Sequence, residues 1–178
     1  MNNVEELIKL TMTSPEDVIE SIQAADEAFD ARCAIELGVA EMTVGHLSEE
    51  DLSGLKHRLE AMRPLIRENR FVDFERYLIA NNDYHEYLVG LAKNETLLSA
   101  YRSLKIKGLM VRALGGTSKT SDRVIEDHIQ LTDAFAAGDF EMAKTAIKDH
   151  TALAKHRVRE AAADQGLIRY LARDQIAG

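Results

Sequence analysis

Apolar residues recur along this chain at steps of three and four, the spacing that keeps one face of a helix dry. Ser14-Pro15-Glu16-Asp17 reads as a helix start, since serine can cap, proline suits the first helical position and acids favour the positive end of the dipole. No breaker follows until Gly38, and Gly45 is the stronger stop, which predicts a helix over roughly 15–44. Ser48-Glu49-Glu50-Asp51 opens a second helix striped by Leu52, Leu55, Leu59, Met62 and Ile66, with Pro64 kinking its end. A third is predicted over roughly 71–92, on Phe74, Leu78, Tyr84, Leu88 and Leu91. Asn94 starts a fourth, roughly 95–114, which Gly115-Gly116 ends. Gly115 to Ser121 is the expected flexible loop. Two more helices follow, roughly 122–137 and 139–164, separated by the turn Gly138-Asp139; Gly166 closes the second and a short tail helix reaches Leu171. No segment alternates with period two for long enough to make a strand. The expected fold is an all-α antiparallel bundle of about six or seven helices. Residues 1–14 read as an N-terminal arm, 15–165 as the bundle and 166–178 as the tail helix.

Composition narrows the function. The chain has 178 residues, the length of one ordinary domain, and 22 Lys+Arg against 30 Asp+Glu give a net charge of −8. That charge repels phosphate backbones, so nucleic acid is a poor partner for this chain by itself. A hydrophobic content of 46% supplies a core, and only 2 prolines and 10 glycines suit long helices. No apolar run approaches the length of a membrane span, and the acidic start Met1 to Glu6 is unlike a signal peptide, so no membrane is expected. The lone Cys33 has no intrachain partner, which points to a cytoplasmic compartment.

The informative residues are histidines. His85 falls in the stripe Leu78, Asn81, His85, Leu88; His128 in Val124, His128, Leu131, Phe135; His150 in Ala143, Ile147, His150, Ala154. Three histidines on three helices therefore face the interior, and Asn81 sits one turn before His85 on the same side. His46 follows a glycine in a turn, His57 lies off its leucine stripe, and His156 stands between Lys155 and Arg157, so these three face water. Any one inward histidine can be a satisfied core imidazole. Three together are costly unless each finds a partner, and one divalent cation satisfies them all.

Several segments resemble the FCD ligand-binding domain, the C-terminal effector module of FadR-subfamily GntR transcription regulators. Asn81-Asn82-Asp83-Tyr84-His85, with Leu88 and Lys93-Asn94 after it, is similar to the family's (Asp/Asn)-x-x-aromatic-His segment. Asp127-His128 resembles its acidic-His pair, and Ala136-Ala137-Gly138-Asp139-Phe140-Glu141-Met142-Ala143 followed by His150 resembles its Gly-Asp turn and last histidine. Arg32-Cys33-Ala34-Ile35-Glu36 is similar to the Arg and Glu of its first helix. The resemblance implies a helical bundle holding a metal on Asn81, His85, His128 and His150, a small carboxylate effector meeting Arg32, and a homodimer. Two departures stand out: Asn81 replaces the commoner Asp, and Asp127 the usual Glu. Three imidazoles and an amide leave a dication's charge uncompensated, which independently favours an anionic effector. Zinc is the expected metal, with nickel, iron, copper or cobalt also suited to imidazole. Asp127 or Glu126 could orient a ligand histidine, or both could be solvated charges; Arg32 could equally pair with Glu36 at i+4.

A FadR-type regulator contacts DNA through a winged helix-turn-helix, and the 14 residues before the first long helix are too few for one. Sequence alone thus leaves a metal-dependent carboxylate sensor whose DNA-binding half lies elsewhere, or a free-standing metal-dependent hydrolase, lyase or isomerase acting on a small organic acid. A helical dimerisation module with an unmetallated histidine cluster is the third reading.

Overall fold

A computed structural model of the chain describes residues 15–114, 119–121 and 123–164. The expected arm, the tail helix and most of the Gly115–Ser121 loop lie outside the described residues. Among those described, the architecture is all-α: α1 (Pro15–Thr43), α2 (Glu49–Met62), α3 (Phe74–Gly90), α4 (Glu95–Ser103), α5 (Ile106–Leu114), α6 (Arg123–Ala137) and α7 (Phe140–Asp164). None of these helices is long and apolar enough to cross a membrane.

Local chemistry sets the boundaries. Ser48 caps α2 in a reciprocal box with Asp51, satisfying two N-terminal amides. Asp73 caps α3, Asn94 caps α4, and Asp139 accepts from the Met142 amide at the start of α7. The third helix thus begins at Phe74, three residues later than the stripe predicts. In between, Arg63–Leu65 forms a 3-10 turn around Pro64, and a two-residue hairpin follows, β1 (Ile66–Arg67) and β2 (Arg70–Phe71). Glu68 and Asn69, both at positive φ (52° and 58°), make its turn. The expectation of no strand is corrected to this small hairpin, which is too short to leave a period-two pattern.

The expected single helix over 95–114 is also corrected, because Lys105 breaks it at φ 51°. Tyr101 and Ile106 are both buried, and five residues of continuous helix would turn one about 140° from the other. The break re-aims Ile106, Met110, Ala113 and Leu114 at the core. Around that core α1 packs on α5 and α7, α6 on α7, and α2 on α3 and α6.

Gly45 and Gly138 mark the α1–α2 and α6–α7 turns at φ 83° and 66°, and a Cβ on Gly138 would stand 3.4 Å from the Gly45 Cα. Gly138→Ala should therefore lower stability by about 1–2 kcal/mol. Gly38, inside α1 with nothing within 4 Å of an added Cβ, is the counterpart: Gly38→Ala should gain about 0.5–1 kcal/mol. Urea-unfolding midpoints of the two variants, moving in opposite directions, check both.

Candidate metal centre

Three helices each deliver one imidazole to a common point. His85 comes from α3, His128 from α6 and His150 from α7, each from its helix's apolar stripe and each buried. One ring nitrogen of each lies within 4.8 Å of those of the others, and ring centroids are 4.5 to 5.3 Å apart. The edge of Tyr84 closes one side against His85 and His128, its hydroxyl 2.8 Å from that of Thr132. His46, His57 and His156 are exposed, as their positions off the stripes predict.

Hydrogen bonds on the far nitrogens fix which near nitrogens carry lone pairs. Glu36, on α1, is completely buried; burial raises its pKa, but His85 and Arg32 beside it outweigh that and hold it below the ordinary carboxylate value. An ionised carboxylate only accepts, so His85 Nδ1–H donates to Glu36 Oε1 at 2.7 Å and Nε2 keeps its lone pair. His128 Nδ1–H donates to the Val124 carbonyl at 2.6 Å, which likewise leaves Nε2 bare. His150 Nε2 stands 3.1 Å from His85 Nε2. Two lone pairs on one cation at about 2.1 Å require nitrogens about 3.0–3.4 Å apart, so this spacing suits a shared metal. His128 Nε2 and His150 Nδ1 have no hydrogen-bond partner, although each is buried. An orphaned buried polar atom costs about 1–3 kcal/mol, and a cation taking the His128 lone pair removes that cost. Burial, together with neighbouring imidazoles and arginines, pushes His128 and His150 well below the usual histidine pKa, and burial lowers His85 despite Glu36. Neutral imidazole is the form that binds metal.

Arg32 is almost fully buried one turn before Glu36. Its Nη1 lies 3.5 Å from His85 Nε2, its Nε 3.8 Å from Glu36 Oε1, and its guanidinium 5.1 Å from the Phe29 ring centre. Nε and Nη2, the side-on fork that grips a carboxylate, have no hydrogen-bond partner. Asn81 is buried beside the centre on α3, with Oδ1 accepting from the Tyr77 hydroxyl at 3.2 Å and its NH2 facing the Met110 sulfur at 4.0 Å. Both recorded partners of its amide thus lie outside the histidine triad. The orienting role considered for Asp127 or Glu126 belongs instead to Glu36. Asp127 accepts from Arg157 at 2.9 Å, and Glu126 is exposed. Glu36 is legible in retrospect: Ala25, Phe29, Arg32, Glu36 and Val39 step by three and four, so two charges ride an apolar stripe.

Residues 27–153 match the family model described as FCD domain, a span that contains Arg32, Glu36, Asn81 and all three buried histidines. A probable D-xylose utilization operon transcriptional repressor of Paenarthrobacter nicotinovorans is 28% identical over 126 residues, covering 71% of this chain and 54% of that protein. The chain therefore spans about half the length of the curated relative it matches. A crystal structure of a GntR-family transcriptional regulator from Pseudomonas syringae pv. tomato str. DC3000 superposes with a TM-score of 0.55 at 16% identity, over 78% of this chain and 59% of that one. At that identity the likeness concerns the fold alone.

Two outcomes follow from the electrostatics. Unfolded histidines take up protons below about pH 6.5, whereas the folded three resist; Glu36, with its lowered pKa, acts in the same direction. Metal-free protein should thus hold its full stability above about pH 6.5 and lose it as pH falls, read as a lower urea midpoint with unchanged slope. Equal midpoints at about pH 7.5 and 5.5 would contradict this. Separately, Glu36→Ala strips the buried Arg32 of its carboxylate and should cost about 3–5 kcal/mol. An Arg32→Met/Glu36→Leu pair should recover part of that loss in the same unfolding measurement.

Proposed function

This chain belongs to the FCD domain family, and on that footing we propose that it is the metal-dependent, carboxylate-sensing effector domain of a GntR-type transcription regulator. The observation that carries the reading is the convergence of three buried, neutral imidazoles from three helices, with a bare ring nitrogen on His128 and an arginine alongside whose Nε and Nη2 make no hydrogen bond. Structural histidines do not need to leave nitrogens orphaned. A metal site does.

In this reading His85, His128 and His150 hold the ion, and Asn81 adds a fourth donor through the lone pair of Oδ1 that Tyr77 does not use. Zinc is the proposed metal, since a set of imidazoles with positions left open suits it. A bound dication supplies a Lewis-acidic centre that accepts an anionic oxygen. The chain's own residues do the rest. Glu36 holds His85 in the tautomer that offers Nε2. Val124, through its carbonyl, does the same for His128. Arg32 offers Nε–H and Nη2–H to a carboxylate, which fits a small organic acid. The low-dielectric surroundings, with Tyr84 against two of the rings, strengthen each of these charged contacts.

The route from binding to regulation runs through helix packing. Arg32 stands on α1 while the imidazoles stand on α3, α6 and α7, so an acid gripped by both ties four helices together. A ligand with different affinity for two packings of those helices shifts their populations by that difference. The likeness to the repressor from Paenarthrobacter nicotinovorans supports regulation of transcription as the output.

Protein purified without chelator should carry zinc near one equivalent per chain by elemental analysis, and His128→Ala should lose it. Asn81→Ala should weaken zinc binding by less than any of the three histidine substitutions. Calorimetry of the zinc-loaded chain against mono- and dicarboxylates should find at least one binder that the His128→Ala chain does not bind. Retention of zinc by that variant, or no binder in the panel, would sink the sensor reading. Turnover of the bound acid would favour the metal-dependent enzyme instead.

A further inference from the structure

His85 and His128 come from helices that meet mainly through a third, since α2 packs on both α3 and α6. Two buried hydroxyls, those of Tyr84 and Thr132, cross the remaining gap. Thr132 Oγ1 donates to the His128 carbonyl at 2.7 Å. The Tyr84 hydroxyl stands 2.8 Å from Thr132 Oγ1 and 3.4 Å from the same carbonyl. Thr132 has one hydroxyl proton and gives it to the carbonyl, so Tyr84 is the donor in the bond between the two side chains. Tyr84 immediately precedes His85, and the accepting carbonyl belongs to His128 itself. The chain of hydrogen bonds therefore ties the backbone beside one imidazole to the backbone of another. The Tyr84 ring adds edge contacts to both imidazoles, with centroids 5.3 and 4.9 Å away. The core does not need these hydroxyls for stability. Phenylalanine and valine have nearly the same shapes, and replacing both partners of a buried hydrogen bond by apolar groups is close to neutral. What the hydroxyls add is direction, and a metal held at about 2.1 Å tolerates little error in the spacing of its donors.

We propose that Tyr84 and Thr132 are positioning residues of the metal centre, a hydroxyl latch that sets the spacing between the imidazoles of His85 and His128. Neither hydroxyl is a ligand, because both are engaged at the α6 backbone. The Val124 carbonyl fixes the His128 ring, and the latch fixes the helix that carries it against α3. Opening the latch leaves the imidazoles present and neutral but lets α3 and α6 slide by the few tenths of an ångström that separate a good donor set from a poor one. The latch thus acts on metal affinity and hardly at all on the stability of the metal-free fold. The inference rests on the reading of the triad as a metal centre, and it concerns what holds two of the three imidazoles in register.

The test pairs zinc affinity, measured by competition with a chromophoric chelator, with the urea midpoint of the metal-free chain. The Tyr84→Phe/Thr132→Val double variant should bind zinc about 10-fold more weakly than the unaltered chain. Its metal-free urea midpoint should stay close to that of the unaltered chain. Thr132→Ser keeps the hydroxyl and should keep most of the zinc affinity. Zinc binding by the double variant as tight as by the unaltered chain would overturn the proposal. Equal weakening in the double variant and in Thr132→Ser would overturn it too, because the methyl group and not the hydroxyl would then matter. If the double variant does not fold, Tyr84→Phe alone decides: it removes one oxygen and leaves Thr132 bonded to the His128 carbonyl, and undiminished zinc affinity in it sinks the latch. Zinc lost by His128→Ala but kept by all the latch variants leaves the metal-centre reading standing without the latch, whereas an unaltered chain that binds no zinc brings down both.

Discussion

The interaction on which the rest depends is the buried contact between the Glu36 carboxylate and the His85 imidazole, with Arg32 at its side. A carboxylate and a guanidinium removed from water each lose several kcal/mol of solvation, and only well-placed partners return it. Here the partners come from α1 and α3, elements separated by some fifty positions (His85 and Glu36 are 49 apart in sequence). The two helices must therefore meet in one register, or a charge is left alone in the core. That contact also settles the His85 tautomer, and the tautomer decides whether Nε2 faces His150 with a lone pair or with a proton. Packing, charge and ligand chemistry are one constraint at this point.

Much of this was legible in the sequence. The capped starts at Ser48 and Asn94, the turn at Gly138 and the three-and-four stripes locate most helices, and the stripes alone sort the histidines into three buried and three exposed. What escaped has physical causes. The hairpin after Pro64 consists of two-residue strands, below the length at which alternation shows. The break at Lys105 uses a non-glycine residue at positive φ, and only the burial of both Tyr101 and Ile106 reveals the change of face. Glu36 was visible as an i+4 partner of Arg32, but its bond to His85 is a tertiary fact. Local spacing left Asp127 and Glu126 open as orienting groups or solvated charges; they adjoin His128 in sequence, but Asp127 pairs with Arg157 and Glu126 is exposed.

Membership of the FCD domain family and the shared fold agree with this architecture. In the proposed metal site every donor, Asn81 and the three histidines, is neutral. Asn81 brings no charge where a carboxylate would bring one, so the negative charge near the triad comes from Glu36, behind a ring. A neutral set of donors beside a fixed guanidinium leans more heavily on an incoming anion than a set containing its own carboxylate. In the proposed reading that dependence would serve a sensor of small acids, and it would arise from the placement of a few side chains.

The most direct test of the central claim is an anomalous-difference map at the zinc absorption edge, from crystals of the chain grown with zinc and a small carboxylate. One peak is expected where His85 Nε2, His128 Nε2 and His150 converge, with carboxylate density reaching toward Arg32. A zinc-bound crystal with its peaks elsewhere, and the three imidazoles joined only to one another, would contradict it.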